Sequence, residues 1–297
     1  MIKFLFDANG LYSTTRGILQ GNYLGLLLRV SGSGSSTVNR PTGNVIVNMK
    51  TKGAIVTVPF TDLVDISNIL YATVKDKSGT DFEFSAMVPF TLPYLANALH
   101  LAANEAEITL PAVDGATQAT WEVYGITSDA PERFLPRIFT RSYNLSGNLN
   151  EMIDMENILA MYLRLGSGAS APDRILVKDD NELLVEADWD VLEAFTNMFS
   201  QIESEITDKI YLDLNPTKIL SDALRDGLTV GAVGGSGSLY VTVISADFDN
   251  ARTETSLVRI QTKIQNKIYR KFTSKRKPVP VSILGEAEQM KIKQVVV

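Results

Sequence analysis

The sequence contains no cysteine, one histidine and two tryptophans among its 297 residues. Without thiols there is no disulfide framework, no thiolate nucleophile, no iron–sulfur site and no cysteine-ligated zinc. A single His100 rules out a histidine pair at a metal site. Long apolar runs are missing too. The densest, Tyr23 to Val30, is broken by Arg29 and falls well short of the roughly 20 residues that span a bilayer. The opening MIKFLFD holds an apolar run of only three residues, too short for the core of a signal peptide, so no cleaved leader is expected.

Catalytic motifs are also absent. Gly231 to Gly237 is glycine-rich, but no Lys-Ser/Thr pair follows it and the next element reads as a strand, so it is a loop rather than a phosphate cradle. Asp247, Asp249 and Glu254 do not follow the calcium-loop spacing. His100 lies in PYLANALHLAA, which reads as an apolar helix with the histidine at its core or at an interface. Nothing resembles a nucleophile elbow, and no cofactor is expected. What remains is a chain with 45% hydrophobic and 21% charged residues, ordinary for a folded protein, and long enough for two domains.

The charge is divided unevenly. From Ala251 to Val297 there are eleven Lys and Arg against three acids, a net +8, which leaves 17 basic and 31 acidic residues, a net −14, in positions 1–250. An acidic body with a basic tail is a two-part object, and such a tail suits an anionic partner. The tail holds the clearest helical pattern in the chain. Leu257, Ile260, Ile264, Ile268 and Phe272 recur at spacings of three and four, a docking face for a helix over 253–272. Arg259, Lys263, Lys267, Arg270 and Lys271 add a basic flank, continued by Lys275, Arg276 and Lys277 beyond the helix. These cations are the candidate contact with lipid headgroups or nucleic acid phosphates.

The body contains an internal duplication. LGLLLRVSGSG (24–34) matches LAMYLRLGSGA (159–169), and Val45-Ile46-Val47 matches Ile175-Leu176-Val177. IVTVPFTDLVDISNIL (55–70) matches LVEADWDVLEAFTNMF (184–199), with Val56/Val185, Leu63/Leu192 and Asn68/Asn197 identical and Phe60 set against Trp189. FEFSAMVPFTLPYLANAL (82–99) then pairs with KIYLDLNPTKILSDAL (209–224), and ATWEVYGI (119–126) with SLYVTVISADF (238–248). The order of the five blocks is kept throughout.

Within the first copy, strands are expected near 13–20, 23–30, 44–49, 54–58, 70–75, 82–88, 106–110 and 119–127, from short β-branched and aromatic runs bounded by Gly, Ser, Asn and Pro. Two helices interrupt each copy. One starts near Thr61 or Asp190, and the other covers Leu92 to Asn104 or Thr217 to Asp226. The segment 131–144, with Arg133, Arg137 and Arg141 spaced by four and prolines at 131 and 136, reads as an extended connector. The expected plan is an N-terminal arm (1–12), a first barrel (13–130), the connector with a second barrel (131–250) and the basic tail (251–297). The fold class is all-β with inserted helices: two tandem eight-stranded jelly-roll barrels and a C-terminal helix.

The paired blocks LLLRVSGSG/MYLRLGSGA and VPFTDL/ADWDVL, on tandem jelly rolls with inserted helices, resemble the double jelly-roll major capsid proteins of the adenovirus, tectivirus and corticovirus lineage. In its compact size the chain is most similar to those of small icosahedral phages that contain an internal membrane. The resemblance implies a non-enzymatic shell protein of the virion, synthesised in the host cytoplasm. It implies a homotrimer of pseudo-hexagonal outline that contacts neighbouring capsomers, minor capsid and penton proteins, and an internal lipid membrane or the genome. It also implies that the loops Val30–Gly43 and Leu165–Asp173 lie at one end of the capsomer. Two other readings fit a cysteine-free β protein: a viral spike or minor vertex protein, and a carbohydrate-binding β-sandwich adhesin.

Overall fold

The computed structural model describes residues 1–71, 75–93, 95–179, 182–200, 206–214 and 226–247. The first half runs β1 (Ile2–Asn9), β2 (Thr14–Gly17), β3 (Gly21–Val38), β4 (Asn44–Met49), β5 (Gly53–Pro59), α1 (Phe60–Tyr71), β6 (Asp76–Lys77), β7 (Gly79–Pro89), β8 (Leu99–Leu101), β9 (Ala106–Leu110) and β10 (Ala116–Thr127). The second runs β11 (Leu135–Asn144), β12 (Leu149–Glu156), β13 (Ile158–Leu165), β14 (Arg174–Asp179), β15 (Glu182–Asp188), α2 (Trp189–Phe199), β16 (Lys209–Asp213), β17 (Asp226–Val233) and β18 (Ser238–Asp247).

The two halves repeat one hydrogen-bonding plan. In the first, β1-β10-β3-β7 forms one sheet, extended by the short β6 and β8, and β5-β4-β9-β2 the other. In the second, β11-β18-β13-β16 and β15-β14-β17-β12 follow the same order. Each half is thus an eight-stranded jelly roll, and the duplicated blocks occupy equivalent strands: 24–34 falls in β3 and 159–169 on and just beyond β13. Even the helix anchors are copied. Ser67 Oγ donates to Leu63 O and accepts from Met87 N–H at 2.8 Å, while Thr196 Oγ1 donates to Leu192 O and accepts from Tyr211 N–H at 2.9 Å.

Alternation along the strands sends one set of side chains inward. In the first half Leu26, Leu28, Val30 and Val123 are buried, and Trp121 meets Phe60 edge-to-face at 5.0 Å while its Nε1–H donates to Pro111 O. In the second, Met161, Leu163, Val241 and Val243 pack with Ile175, Val177, Val230 and Trp189. The sheets meet across the halves as well. β11 pairs in parallel with β5, Ile138 opposite Val56 and Phe139 opposite Thr57, so that β16-β13-β18-β11-β5-β4-β9-β2 is one eight-stranded sheet. Residues 1–247 form one compact unit.

Several expectations are corrected. The arm expected over 1–12 is largely strand β1, which pairs antiparallel with β10 and buries Leu5 and Ala8. No strand covers 70–71, because α1 continues to Tyr71; residues 72–74 lie outside the described residues and the next strand is β6. The expected helix over Leu92–Asn104 does not form. Buried Asn97 instead ties the segment to the chain on both sides, its Nδ2 donating to Phe90 O and Phe134 O and its Oδ1 accepting from Arg133 and Phe134 N–H. These tertiary bonds outweigh a helical apolar pattern that already begins with Pro93. His100 therefore sits exposed in β8, its Nε2 3.3 Å from Ala130 O, and not at a helix core.

The corresponding helix over Thr217–Asp226 falls almost wholly outside the described residues, and Asp226 opens β17. The connector is extended, yet Leu135–Asn144 is β11, bonded along its whole length to β18. The Val30–Gly43 loop is also shorter than expected, since β3 persists to Val38. Gly32 allows that continuation because a Cβ there would collide with Gln118 O where β10 bulges. At the other glycine-rich stretch, Gly231 belongs to β17 and the turn itself uses positive φ at Gly234, Gly235 and Gly237.

Trp121→Ala should destabilise the folded chain by about 3–5 kcal/mol, the range for deleting a fully buried aromatic side chain. Denaturant unfolding measures it, and a loss under about 1 kcal/mol would contradict this packing.

Candidate functional site

The strongest concentration of buried charge lies where α1 of the first half meets the outer face of β16-β13-β18-β11 in the second. Helical spacing puts Phe60, Leu63 and Ser67 against the first jelly roll and presents Asp62 and Asp65 to the second. Asp62 is fully buried. Its Oδ1 accepts from Arg164 Nε at 2.7 Å and its Oδ2 from Thr242 Oγ1 at 3.3 Å. Asp65 accepts from Tyr162 Oη at 2.8 Å, Lys209 Nζ at 3.0 Å and Arg40 Nη1 at 2.7 Å. Arg40, in the β3–β4 connection, also pairs with Asp76.

Three cations thus face three carboxylates, with Arg40, Asp62, Asp65 and Asp76 from one half and Arg164 and Lys209 from the other. The Arg164 guanidinium also lies over the Tyr240 ring, 4.3 Å from its centre. Burial raises the Asp62 carboxyl above its ordinary range, with Arg164 pulling the other way. Burial, reinforced by Asp65, keeps the Tyr162 phenol protonated far up the pH scale, so it remains a donor. For Arg164, burial works against the charge, but Asp62 outweighs it.

Such an arrangement fixes geometry more than it adds net stability, because desolvating the ions costs about what their attraction returns. Removing one partner, however, strands the other. The cluster is therefore a keyed junction between the two halves. Among the described residues no group of three or more His, Asp or Glu side chains could hold a metal ion. Asp247, considered for calcium, pairs instead with Arg137 at 2.9 Å. Among the described residues no helix is long and apolar enough to cross a membrane.

The tail residues singled out from sequence, Leu257, Arg259, Ile260, Lys263, Ile264, Lys267, Ile268, Arg270, Lys271, Phe272, Lys275, Arg276 and Lys277, all lie outside the described residues. The junction itself escaped sequence reasoning. Its signal was present in the duplicated block, where Asp62 and Asp65 align with Val191 and Ala194: carboxylates on one helix where its copy carries apolar residues. Both tryptophans, whose exposure in a groove would have suited an adhesin, are buried.

Asp62→Ala should cost about 3 kcal/mol near neutral pH by leaving Arg164 without its carboxylate, and pairing it with Arg164→Met should cost less than the sum of the single changes. Because the folded state holds the Asp62 proton to higher pH than the unfolded chain does, proton uptake at Asp62 adds a further stabilising contribution at the acid end, and that added part alone is lost as pH rises through the raised pKa. Denaturant titrations across the carboxylate range should show that decline in the parent and not in Asp62→Ala. Additive single and double costs would contradict a coupled junction.

The sequence matches no protein-family model and no curated protein sequence. Its fold does match solved structures. The major capsid protein P2 from bacteriophage PM2 aligns over 84% of this chain and 99% of its own, with 12% identity and a TM-score of 0.57. A chain from the atomic structure of Sulfolobus Turreted Icosahedral Virus aligns over 91% of this chain and 97% of its own, with 10% identity and a TM-score of 0.66. The major capsid protein of that virus, crystallised separately, covers 84% and 97% at 10% identity, with a TM-score of 0.63. At such low identity the likeness is one of fold: this chain has the double jelly-roll architecture of these viral major capsid proteins.

Proposed function

We propose that this protein is a structural, non-enzymatic shell protein of an icosahedral virus or phage, three copies of which associate as a homotrimer whose six barrels give a pseudo-hexagonal outline. The observation that carries this reading is a duplicated jelly roll, joined through one continuous sheet, that aligns over nearly the full length of two viral major capsid proteins. Duplication has a clear use in a shell. A three-fold object made of six similar barrels tiles a hexagonal lattice, while each half specialises its own contacts. Its partners are then neighbouring capsomers and the minor capsid and penton proteins. Its place is the virion shell, after synthesis in the host cytoplasm.

The expected solution species is a trimer. Native mass spectrometry with negative-stain microscopy should find three copies and a flat, hexagon-outlined particle; a monomer or an elongated fibre would overturn the reading.

The second element of the proposal is the tail. Its net +8, set against a body of −14, suits a contact with an internal lipid membrane or the genome through Arg259, Lys263, Lys267, Arg270, Lys271 and the Lys275–Lys277 cluster. Leu257, Ile260, Ile264, Ile268 and Phe272 serve as the face that docks the same helix on protein. Deleting residues 253–297 should leave the trimer intact while abolishing salt-sensitive co-flotation with anionic vesicles and retention of DNA. Equal behaviour of the full-length and truncated proteins in both assays would exclude this role.

A further inference from the structure

The two barrels fill one place in their cores with different residues. Strand registers make Leu239 of β18 the counterpart of Trp121 in β10, and Tyr143 of β11 the counterpart of Ala8 in β1. Trp189 opens α2 where Phe60 opens α1. Phe60, Trp121 and Ala8 in the first core are thus replaced by Trp189, Leu239 and Tyr143 in the second. The indole has moved from a strand to the head of a helix, and a phenol enters from the neighbouring strand where the first half has only a methyl group.

In the first half the polar atom of this group is paired inside the protein. Trp121 Nε1–H donates to Pro111 O at 3.0 Å, although the ring is fully buried. The second half has no such bond. Trp189 is 2% exposed, and Tyr143 packs against the apolar cluster that contains both Trp189 and Leu239, yet Trp189 Nε1 and Tyr143 Oη are each buried with no protein group as partner. The equivalent positions bring the two together. Tyr143 lies directly opposite Leu239 in the strand register, and in the first half the ring at the Leu239 position meets the ring at the Trp189 position at 5.0 Å.

Their chemistry narrows what completes the pair. An indole N–H only donates, whereas a phenol can donate or accept. The surrounding cluster is apolar and offers an ion no countercharge. A group that is small, neutral and able to accept from the indole while bonding the phenol is required, and one water has that capacity. Leaving both atoms unpaired would forfeit their hydration, which native cores avoid.

We infer that Trp189 Nε1 and Tyr143 Oη form an internal water site in the second jelly roll, one water accepting from the indole and bridging it to the phenol. The bridge ties the first residue of α2 to β11, the strand that also joins β5 of the first half. Thr196 holds the same helix to β16 further along, so α2 is fixed at two points. The site depends on the fold of the second half and not on how many copies associate.

Tyr143→Phe in the full chain removes only the phenol oxygen. It should lower the denaturant midpoint of unfolding, and the shift should shrink in a Trp189→Phe background, where the bridge has already lost its other end, but keep its size in a Trp121→Phe background. A Tyr143→Phe midpoint equal to or above that of the parent, or the same shift in all three backgrounds, overturns the site. A high-resolution structure of the full chain reads it directly. An ordered solvent oxygen about 2.7–3.2 Å from both Trp189 Nε1 and Tyr143 Oη is expected. A direct bond between the two side chains, or a separate protein partner for each, overturns the proposal.

Discussion

Two carboxylates removed from water hold the two halves of this chain in register. Asp62 and Asp65 project from a helix of the first jelly roll into the outer face of the second, where Arg164, Lys209, Tyr162 and Thr242 receive them. A buried charge tolerates few arrangements, because any displacement leaves a desolvated ion without a partner. The parallel pairing of β5 with β11 runs beside this cluster and adds backbone hydrogen bonds, which tolerate only stepwise changes of register. The two halves are consequently one unit.

Duplication supplied two copies of the same scaffold, and divergence gave their outer faces different work. The equivalence reaches small details: Ser67 and Thr196 each close a helical turn and also accept a backbone N–H from the neighbouring strand. Against that constancy, the carboxylates of α1 are replaced by Val191 and Ala194 on α2, and Tyr162 and Thr242 of the second-half sheet correspond to Leu27 and Tyr124 in the first.

Much of the fold was legible in the residues. The matched blocks identified equivalent strands correctly, and the β-branched and aromatic runs at 44–49, 82–88 and 106–110 marked strands to within a few residues. The misreadings share a cause. The segment over Leu92–Asn104 has helical periodicity but is pinned by Asn97 to backbone 36 and 37 residues away. Residues 31–38 are rich in Gly and Ser like a loop, yet they remain strand because β10 and β7 bond them from both sides. β1 looked like an arm because its partner, β10, is more than a hundred residues distant. Local propensity competes poorly with such long-range bonds.

The sequence by itself determined the duplication, the jelly-roll class and the division into an acidic body and a basic tail, because periodicity, repeat order and charge are properties of the chain read in order. Only the tertiary structure decided which surfaces the halves use on each other. Asp62 lies 102 residues from Arg164 and 180 from Thr242, and no local pattern foretells that these groups will be taken out of water together. The same is true of which apolar side chains face water. Val191 and Met198 look like core residues in sequence, and only the folded arrangement leaves them exposed.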